Sequence, residues 1–344
     1  MSSRSCNAVL AKSRAMYGKC LKDQDYRQLV ECRSVAEVAG YLKTRTCYSR
    51  ALTGLNETET HRGQLEPLLR QEVYLDVFAL SRYTSDDALA VSDFVTAKLG
   101  IEQIVRCLMM LNIGKPEEYA LSMPLSLDKF TELSFKDLAG VRSYDDLLRV
   151  TQRTKYYQVL LPFRPKEGEA IRIAEIDIAL NNKNYSMAME EISKLKNKAE
   201  QKELRDLFNS VFDFENLERI LRLKKYHALD SKTVRSMLIP FGKLSGKVMD
   251  DLCSAEDIHD VYELARSTYL GGPLSKLQYY DNTQISYALI NAYCKHHLRL
   301  SPNPTIVMIS YIYLKQIEVR NIINLIEATR YGLSADEKQK LPVR

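Results

Sequence analysis

The sequence predicts an almost entirely helical protein, and three observations carry that prediction. Glycine and proline number only 13 and 10 in 344 residues, whereas β-sheet proteins need many turn residues. Neither residue type occurs between Gly168 and Pro240, or between Pro67 and Gly100. Within these stretches apolar residues recur three and four positions apart, which is the period of an amphipathic helix. We therefore expect an all-α fold.

Composition and charge narrow the functional classes. The chain is 45% hydrophobic and 27% charged, as in ordinary folded proteins, and its net charge is only +5. Basic and acidic residues are interleaved. The sequence therefore contains no basic stripe that would predict nucleic-acid binding. The seven cysteines are scattered and form no C-x-x-C pair, which is typical of a reduced, cytoplasmic chain. The N-terminus is too polar for a secretory signal, and no apolar run is long enough to span a bilayer.

The clearest single helix is predicted for residues 305–330. Asn303, followed by Pro304, supplies a start signal, and isoleucines at helical spacing supply a wide apolar stripe. Gly332 can adopt the left-handed conformation that follows a helix end. Ser334 and Glu337 then have the spacing of a capping box, which predicts one more short helix.

A threonine motif occurs three times along the chain. In each copy a threonine lies four residues after an aliphatic residue, and a tyrosine follows within two positions: Leu42-x-x-x-Thr46-x-Tyr48, Val150-x-x-x-Thr154-x-Tyr156 and Leu264-x-x-x-Thr268-Tyr269. A serine that is a plausible N-cap precedes each copy, at Ser34, Ser143 and Ser254. Each copy is followed by a segment containing Gly or Pro and then by a long stretch almost free of both.

A second motif follows in the same order. Asn216-Leu217-x-x-Ile220-Leu221-x-x-x-Lys225-Tyr226 matches Asn321-Ile322-x-x-Leu325-Ile326-x-x-x-Arg330-Tyr331. The first copy keeps only the apolar part, Gly100-Ile101-x-x-Ile104-Val105. Two motifs in register predict three similar helical units, at 5–113, 114–226 and 227–344. Three such units suggest a funnel-like arrangement with pseudo-threefold symmetry, although a linear stack remains open.

The asparagines of the second motif are predicted to be structural joints that fix helix against helix within a unit. Asn216 and Asn321 lie within apolar stripes, where an amide must find hydrogen-bond partners or its burial is costly. The same structural role is predicted for the recurring residues of both motifs: Thr46, Thr154, Thr268, Tyr226 and Tyr331.

The segment from Asp213 to Tyr226 places its acids first and its bases last. That order suits the helix macrodipole and needs no functional explanation. The alternative is a basic helix end presented to an acidic partner. The residues concerned are Arg219, Arg222, Lys224, Lys225, Arg320 and Arg330.

Patterns that could carry chemistry have simpler explanations here. Residues 242–247, Gly-Lys-Leu-Ser-Gly-Lys, resemble a phosphate-binding loop, but the glycine spacing is one residue short. In addition, Val248 stands where Ser or Thr should hold magnesium. We expect a loop between helices.

Neither a metal site nor an acid–base pair is predicted. Cys294, His296 and His297 lack partners at metal-ligand spacing, and adjacent histidines point to different helix faces. Glu190 and Glu191 lie among lysines at the spacing of a solvated helix face. No catalytic, cofactor-binding or metal-binding residue is therefore expected.

Two segments resemble a known family. Residues 314–322, Leu-Lys-Gln-Ile-Glu-Val-Arg-Asn-Ile, followed by Arg330-Tyr-Gly-Leu333, resemble the C-terminal signature of the C subunit of archaeal and bacterial V-type ATPases. The family's protein is similar to the d subunit of the eukaryotic vacuolar enzyme. Gln316 replaces an acid of the usual K-E-x-E-[IV]-R-N-I pattern. Residues 212–222 resemble the matching D-x-x-N-hydrophobic segment of the middle unit.

This resemblance implies a non-catalytic connector in a rotary motor. Members of the family are pseudo-threefold helical funnels on the cytoplasmic side of the membrane proteolipid ring, and their pit receives the central-stalk shaft. The implied partners are the shaft subunits and the ring, with indirect membrane association, no cofactor, and H⁺ or Na⁺ as the transported ion. Three alternatives remain: a generic helical-repeat scaffold, an enzyme with a dispersed site, and a weak RNA-binding protein.

Overall fold

The computed structural model describes residues 3–56, 60–83, 86–166, 168–226, 229–277 and 284–344. In these residues the regular structure is helical, with no β-strand, which confirms the all-α prediction. None of the helices in these ranges combines the length and apolar character needed to cross a membrane.

Eighteen α-helices occur in the described ranges, together with three short 3₁₀ segments. They are α1 (Ser3–Tyr17), α2 (Asp23–Glu31), α3 (Val35–Arg45), α4 (Arg62–Ser81), α5 (Asp86–Asn112), α6 (Glu117–Ser122), α7 (Phe135–Ala139), α8 (Tyr144–Thr151), α9 (Tyr157–Leu160), α10 (Ile173–Lys194), α11 (Lys198–Tyr226), α12 (Ser231–Ser236), α13 (Gly246–Ser254), α14 (Ile258–Arg266), α15 (Gly271–Ser275), α16 (Ile285–Leu300), α17 (Pro304–Arg330) and α18 (Ala335–Gln339).

The chain forms two compact bodies. One comprises Met1–Leu69 and Lys196–Arg344, and the other comprises Arg70–Leu195. Tertiary contacts rather than sequence repeats define these bodies. The three predicted units, at 5–113, 114–226 and 227–344, therefore stay a prediction.

Helix α17 is the centre of the first body. Of its 27 residues, 21 are buried, because it packs against α16 and α1 and also contacts α11, α2 and α3. A helix that is apolar all round is stable only when neighbours surround it. Four of its half-buried residues lie along one face of the helix, at intervals of four, four and three residues: Gln316, Arg320, Asn324 and Glu327.

The ends of α17 are as the sequence predicts. The side chain of Asn303 accepts hydrogen bonds from the backbone N–H groups of Thr305 and Ile306. Gly332 has a φ of 71°, and the N–H of Leu333 bonds back to Ala328, as expected beyond a helix end. The capping box of Ser334 and Glu337 is also present, which confirms the short helix α18.

The stretch without Gly or Pro between Gly168 and Pro240 contains three helices, α10, α11 and α12. The break between α10 and α11 needs neither residue type, because the side chain of Asn197 accepts hydrogen bonds from Ala199 and Glu200 and starts α11. Asp213 therefore lies in the middle of a 29-residue helix. The macrodipole explanation for Asp213 is wrong, since dipole effects are confined to the end turns.

The second body is built around the pairing of α5 with α10. Its core is a continuous apolar cluster that includes Leu99, Ile104, Leu147, Leu160 and Leu180. Gly100, which bounds the stretch without Gly or Pro that begins after Pro67, lies inside α5. The reason is local packing, and it bears directly on the candidate site.

Candidate functional site

The three threonine motifs share one local structure. In each, the threonine Oγ1 accepts a hydrogen bond from the backbone N–H two residues later, at 3.2 to 3.3 Å: Thr46 with Tyr48, Thr154 with Tyr156, and Thr268 with Leu270. Leu270, which is fully buried, is thus the backbone equivalent of the two buried tyrosines. Tyr269 lies one position earlier and is 41% exposed.

The short helices before the motifs begin with side-chain caps. Ser34 and Ser143 each accept a hydrogen bond from the N–H three residues later, as predicted. The third prediction is wrong, because Ser254 is the last residue of α13. Asp257 caps α14 instead, accepting from Asp260. A carboxylate serves this position as well as a hydroxyl does.

The two motif asparagines make the same pair of hydrogen bonds. Asn216 donates to the backbone oxygen of Ile239 at 3.0 Å and accepts from the N–H of Ile239 at 2.8 Å. Asn321 does the same with Val343, at 2.8 and 3.0 Å. Both asparagines are buried, and we call each arrangement an asparagine clamp. Each clamp fixes the segment that follows its own long helix. The prediction of a helix-to-helix joint within one unit is wrong for Asn216, because Ile239 is not helical and lies in the third predicted unit.

A buried carboxylate lies three residues before each asparagine. Glu318 precedes Asn321 and accepts hydrogen bonds from the Tyr48 hydroxyl at 2.7 Å and from the N–H of Leu21 at 2.6 Å. Lys315 approaches the same carboxylate at 2.7 Å. Because Tyr48 lies 270 residues from Glu318, this contact ties the start of the chain to its end.

Lys315 and Glu318 form an ion pair shielded from water. Their side chains are only 3% and 6% exposed. Burial lowers the pKa of Lys315, but Glu318 together with Cys20, Cys47 and Tyr311 raises that pKa well above its usual value. The ammonium also lies 4.0 Å from the centre of the Tyr48 ring and 3.6 Å from the Cys47 sulfur. A buried charge is tolerated only with such partners.

Asp213 makes the corresponding contacts before Asn216. It accepts hydrogen bonds from the Tyr269 hydroxyl at 2.7 Å and from the N–H groups of Lys243 and Leu244 at 2.7 and 3.2 Å. Gly242 allows this approach, since a Cβ there would collide with the carboxylate. The amides that could have cradled a phosphate are thus occupied by a carboxylate of the chain itself.

The third contact of this kind lacks a carboxylate. Ala97 lies three residues before Gly100, and the Tyr156 hydroxyl donates to the Ala97 backbone oxygen at 3.1 Å. A Cβ on Gly100 would lie 2.5 Å from that hydroxyl oxygen. A glycine is therefore needed here, inside a helix, because the tyrosine ring passes over it. This packing explains why the first copy of the asparagine motif has lost its asparagine.

These three tyrosine contacts connect different predicted units. Tyr156 of the second unit meets Ala97 of the first, and Tyr269 of the third meets Asp213 of the second. Tyr48 of the first unit meets Glu318 of the third. Each threonine motif therefore contacts the long helix of another unit, three residues before the position of the motif asparagine.

The other predicted joint residues lie elsewhere. Tyr226 and Tyr331 are 58% and 66% exposed at the ends of α11 and α17. The preceding basic residue covers each ring, with Lys225 at 5.1 Å and Arg330 at 4.8 Å from the ring centre. The structure buries the two asparagines and half-buries the three threonines but leaves these two tyrosines at the surface.

The candidate partner-contact residues divide into two groups. Arg219 donates to the backbone oxygen of Met237 at 3.0 Å, and Arg320 stacks 3.3 Å from the Tyr287 ring centre. Both arginines therefore have roles within the fold. The remaining cations lie near the ends of α11 and α17 and are exposed, apart from the half-buried Lys224: Arg222, Lys224, Lys225 and Arg330.

The residues weighed for metal binding and acid–base chemistry have structural surroundings. Cys294 is fully buried, and the His297 ring packs edge-on against Tyr293. Glu191 pairs with Lys194 on an exposed helix face. Within the described part of the chain, no three His, Cys, Asp or Glu side chains are grouped so that they could hold a metal ion.

The buried carboxylates were missed as site residues, although the sequence carried a signal for them. Asp213 and Glu318 occupy the same position relative to Asn216 and Asn321. An acid repeated at fixed spacing inside two apolar helices indicates a buried acceptor, because an unpaired carboxylate would be too costly there. Their tyrosine partners could not be identified, since they lie 56 and 270 residues away.

The close packing over Gly100 generates a stability prediction. Gly100→Ala is expected to lower the free energy of unfolding by about 1–3 kcal/mol, because the new methyl group overpacks against Tyr156. Urea denaturation measures the change. Gly246→Ala is the control, since a Cβ there meets no atom within 4 Å. Adding Tyr156→Phe to Gly100→Ala should recover part of the loss, and strictly additive effects would contradict the packing explanation.

The asparagine clamp at Asn321 generates a second prediction. Asn321→Ala should destabilise the protein by about 1–3 kcal/mol, because the buried N–H and C=O of Val343 lose their partners. Hydrogen exchange at the Val343 amide should accelerate as well. Asn324→Ala, one turn later on the half-buried line of α17, serves as the control and should leave that exchange rate unchanged. Equal protection of Val343 in both variants would argue against the clamp.

Burial of Asp213 generates a prediction about pH. Burial raises the pKa of Asp213, although the Tyr269 hydroxyl and two backbone N–H groups lower it. Its contribution to stability is thus fully present below the unfolded pKa, about 4, and is lost as pH rises through the raised folded pKa. Asp213→Asn should therefore lose less stability than the native chain as the pH is raised above about 4.

Urea denaturation at a series of pH values tests this expectation. Asp251→Asn, at an exposed position on α13, is the control and should follow the native profile. If native protein and Asp213→Asn changed in parallel across the acidic range, Asp213 would not be the titrating group.

Comparison with known proteins identifies the family. The family described as ATP synthase (C/AC39) subunit matches residues 9–341. Similar proteins include the C subunit of the A-type ATP synthase of Methanocaldococcus jannaschii, 25% identical over 97% of this chain and 85% of the relative. The C subunits of the A-type ATP synthases of Pyrococcus abyssi and Methanosarcina mazei are 21% and 22% identical, over 96% and 95% of this chain and 88% and 89% of theirs.

These names confirm two predictions made from the sequence. The resemblance to the C subunit of V-type ATPases agrees with the matched family. The prediction of a non-catalytic chain agrees as well, because the relatives are named as C subunits of A-type ATP synthases. The chain belongs to the ATP synthase (C/AC39) subunit family.

Proposed function

We propose that this chain is the rotor connector of a V-type ATPase, joining the central-stalk shaft to the membrane proteolipid ring. In this role ATP hydrolysis turns the shaft, the chain passes the rotation to the ring, and the ring moves H⁺ or Na⁺. The chain would sit on the cytoplasmic face of the membrane and reach the membrane only through the ring. Membership of an ATP synthase subunit family supports the assignment to the complex.

The observation that carries the connector role is the order of the tyrosine contacts. The second unit contacts the first, the third contacts the second, and the first contacts the third. Each pair of predicted units thus shares one such contact, which supports the proposal of three units arranged with pseudo-threefold symmetry around a socket.

A torque-carrying connector requires stiffness, and the joints supply it. At each of the three tyrosine contacts, a fully or almost fully buried residue of the threonine motif lies beside a hydrogen bond to the long helix of another predicted unit. The hydrogen bonds to Glu318 and Asp213 involve carboxylates and contribute about 1.5–3 kcal/mol each, whereas the neutral bond to the Ala97 backbone oxygen contributes about 0.5–1.5 kcal/mol. Close packing also makes protein interiors poorly compressible, so a force on one helix is transmitted to its neighbours.

The exposed basic helix ends are the proposed contact points for partners. Arg222, Lys225 and Arg330 lie exposed at the ends of two equivalent long helices, with Lys224 half-buried beside them. Cations at helix C-termini are favourable to the helix itself and remain available to acidic groups of a neighbour. Arg219 and Arg320 would act through the fold, by holding their helices in place.

Reconstitution of the rotary complex tests the connector role. A complex assembled without the chain should hydrolyse ATP but transport no ions, because shaft and ring are disconnected. Adding the purified chain should restore transport, and the chain alone should hydrolyse no ATP. ATP-driven ion uptake into vesicles measures coupling, with ATP hydrolysis measured in parallel. Full ion transport by the complex lacking the chain would refute the proposal.

A charge-reversal variant then tests the contact points. Arg222→Glu, Lys225→Glu and Arg330→Glu together should weaken co-purification with shaft and ring by about tenfold or more, roughly 1.4 kcal/mol. The control reverses three exposed lysines elsewhere: Lys136→Glu, Lys198→Glu and Lys202→Glu. If both variants bind as the native chain does, the basic helix ends are not the interface. Binding instead to an unrelated protein would favour a generic scaffold.

A further inference from the structure

A cavity of about 590 Å³ in the first body has a strongly basic lining. Lys276, Lys295, Arg299 and Arg344 contribute four cationic side chains, and His296 adds an imidazole. None of the described residues that line the cavity has a carboxylate side chain. This local excess of positive charge contrasts with the chain as a whole, where acids and bases are interleaved.

The cavity follows from the spacing of residues along α16. Ala288, Ala292, Lys295 and Arg299 recur at intervals of four, three and four residues and so share one face of that helix. The alanines leave room where larger side chains would fill the space, and the cations stand on the same face one and two turns further along. Cavities of this size commonly hold a small molecule.

The positive charge in the cavity is only weakly compensated. Burial lowers the pKa of Lys295, and the neighbouring Arg299 lowers it further, whereas Asp23 opposes the shift. Asp23 is 73% exposed and lies 3.8 Å from the nearest guanidinium nitrogen of Arg344, which is beyond hydrogen-bonding distance. One distant, hydrated carboxylate cannot balance four cations.

Two of the guanidinium groups at the cavity are held by neighbouring tyrosines. Arg344 lies 5.4 Å from the centre of the Tyr26 ring, and Arg299 is hydrogen-bonded to Tyr17. Side chains that are already ordered lose little conformational entropy when a ligand binds.

The helix end beside the cavity would ordinarily repel an anion, but its charge is offset. The last carbonyl groups of a helix carry a partial negative charge. The guanidinium group of Arg14 donates to the backbone oxygens of Leu298, Arg299 and Ser301, at 2.9, 3.2 and 3.0 Å. The C-terminus of α16 is thereby capped by a further cation.

We propose that this cavity binds a small molecule or headgroup that carries clustered phosphate groups. Guanidinium groups match phosphate oxygens through two parallel hydrogen bonds, and lysines add point charges. Four cations around one cavity are more than a single carboxylate requires, which favours a ligand with two or more phosphates. The ligand would neutralise the repulsion between Lys295 and Arg299. This binding does not depend on the connector role.

Calorimetric titration of the full-length protein with inorganic tripolyphosphate tests the proposal. The native chain should bind, and Lys295→Gln with Arg299→Gln should weaken binding about tenfold or more. The control variant, Lys202→Gln with Arg205→Gln, removes the same charge from an exposed part of α11 and should bind within about twofold of the native chain. Arg344→Gln provides a second test if the double variant does not fold.

A second arm distinguishes the source of the phosphates. Phosphatidylcholine vesicles containing phosphatidylinositol bisphosphate are tested for flotation with the protein, with and without tripolyphosphate. Flotation that tripolyphosphate abolishes supports the cavity as a headgroup site, and binding of tripolyphosphate without flotation supports a free ligand. Absence of tripolyphosphate binding up to about 1 mM would overturn the proposal. An equal loss of affinity in the control variant would also overturn the proposal. The same holds if an acidic peptide binds in the cavity but tripolyphosphate does not.

Discussion

The structure of the larger body depends on the burial of α17 together with the buried ion pair that this helix carries. A helix with 21 of 27 residues buried cannot stand alone in water, so the rest of that body is arranged to cover it. Lys315 and Glu318 lie on this helix, and their charges require partners from elsewhere in the chain. Tyr48 and the N–H of Leu21 supply them. The segments that follow α1 and α3 are thus held against α17 by electrostatics as well as packing.

The same design recurs with different chemistry. At Asp213 a tyrosine and two loop N–H groups satisfy the carboxylate without any lysine. At Ala97 the carboxylate is gone, and the tyrosine hydroxyl bonds to the backbone above a glycine. One geometric rule is therefore kept while the side chains diverge. In each case a tyrosine hydroxyl of the threonine motif donates to the residue three positions before the asparagine site. Such divergence is expected where the requirement is a satisfied hydrogen bond rather than a reactive group.

This view also connects the joints with the proposed role. A rotor connector must resist deformation between its units, and buried hydrogen-bonded contacts resist deformation better than exposed ion pairs do. The exposed cations at the ends of α11 and α17 carry little of that stability, in keeping with their proposed role in contacting partners. The basic cavity on α16 is separate in position and in chemistry, because its charges repel one another rather than pairing.

The sequence alone determined the helical class, both ends of α17 and the places of the two motifs, because these depend on local spacing and capping. It also indicated that Asn216 and Asn321 make hydrogen bonds, since an amide within an apolar stripe must be paired, but it did not identify their partners. It could not find Tyr48 as the partner of Glu318, or the need for Gly100 beneath Tyr156, because residues far apart in sequence meet only after folding. The tertiary structure likewise decided that Asp257 rather than Ser254 caps α14, and that Asp213 accepts loop amides.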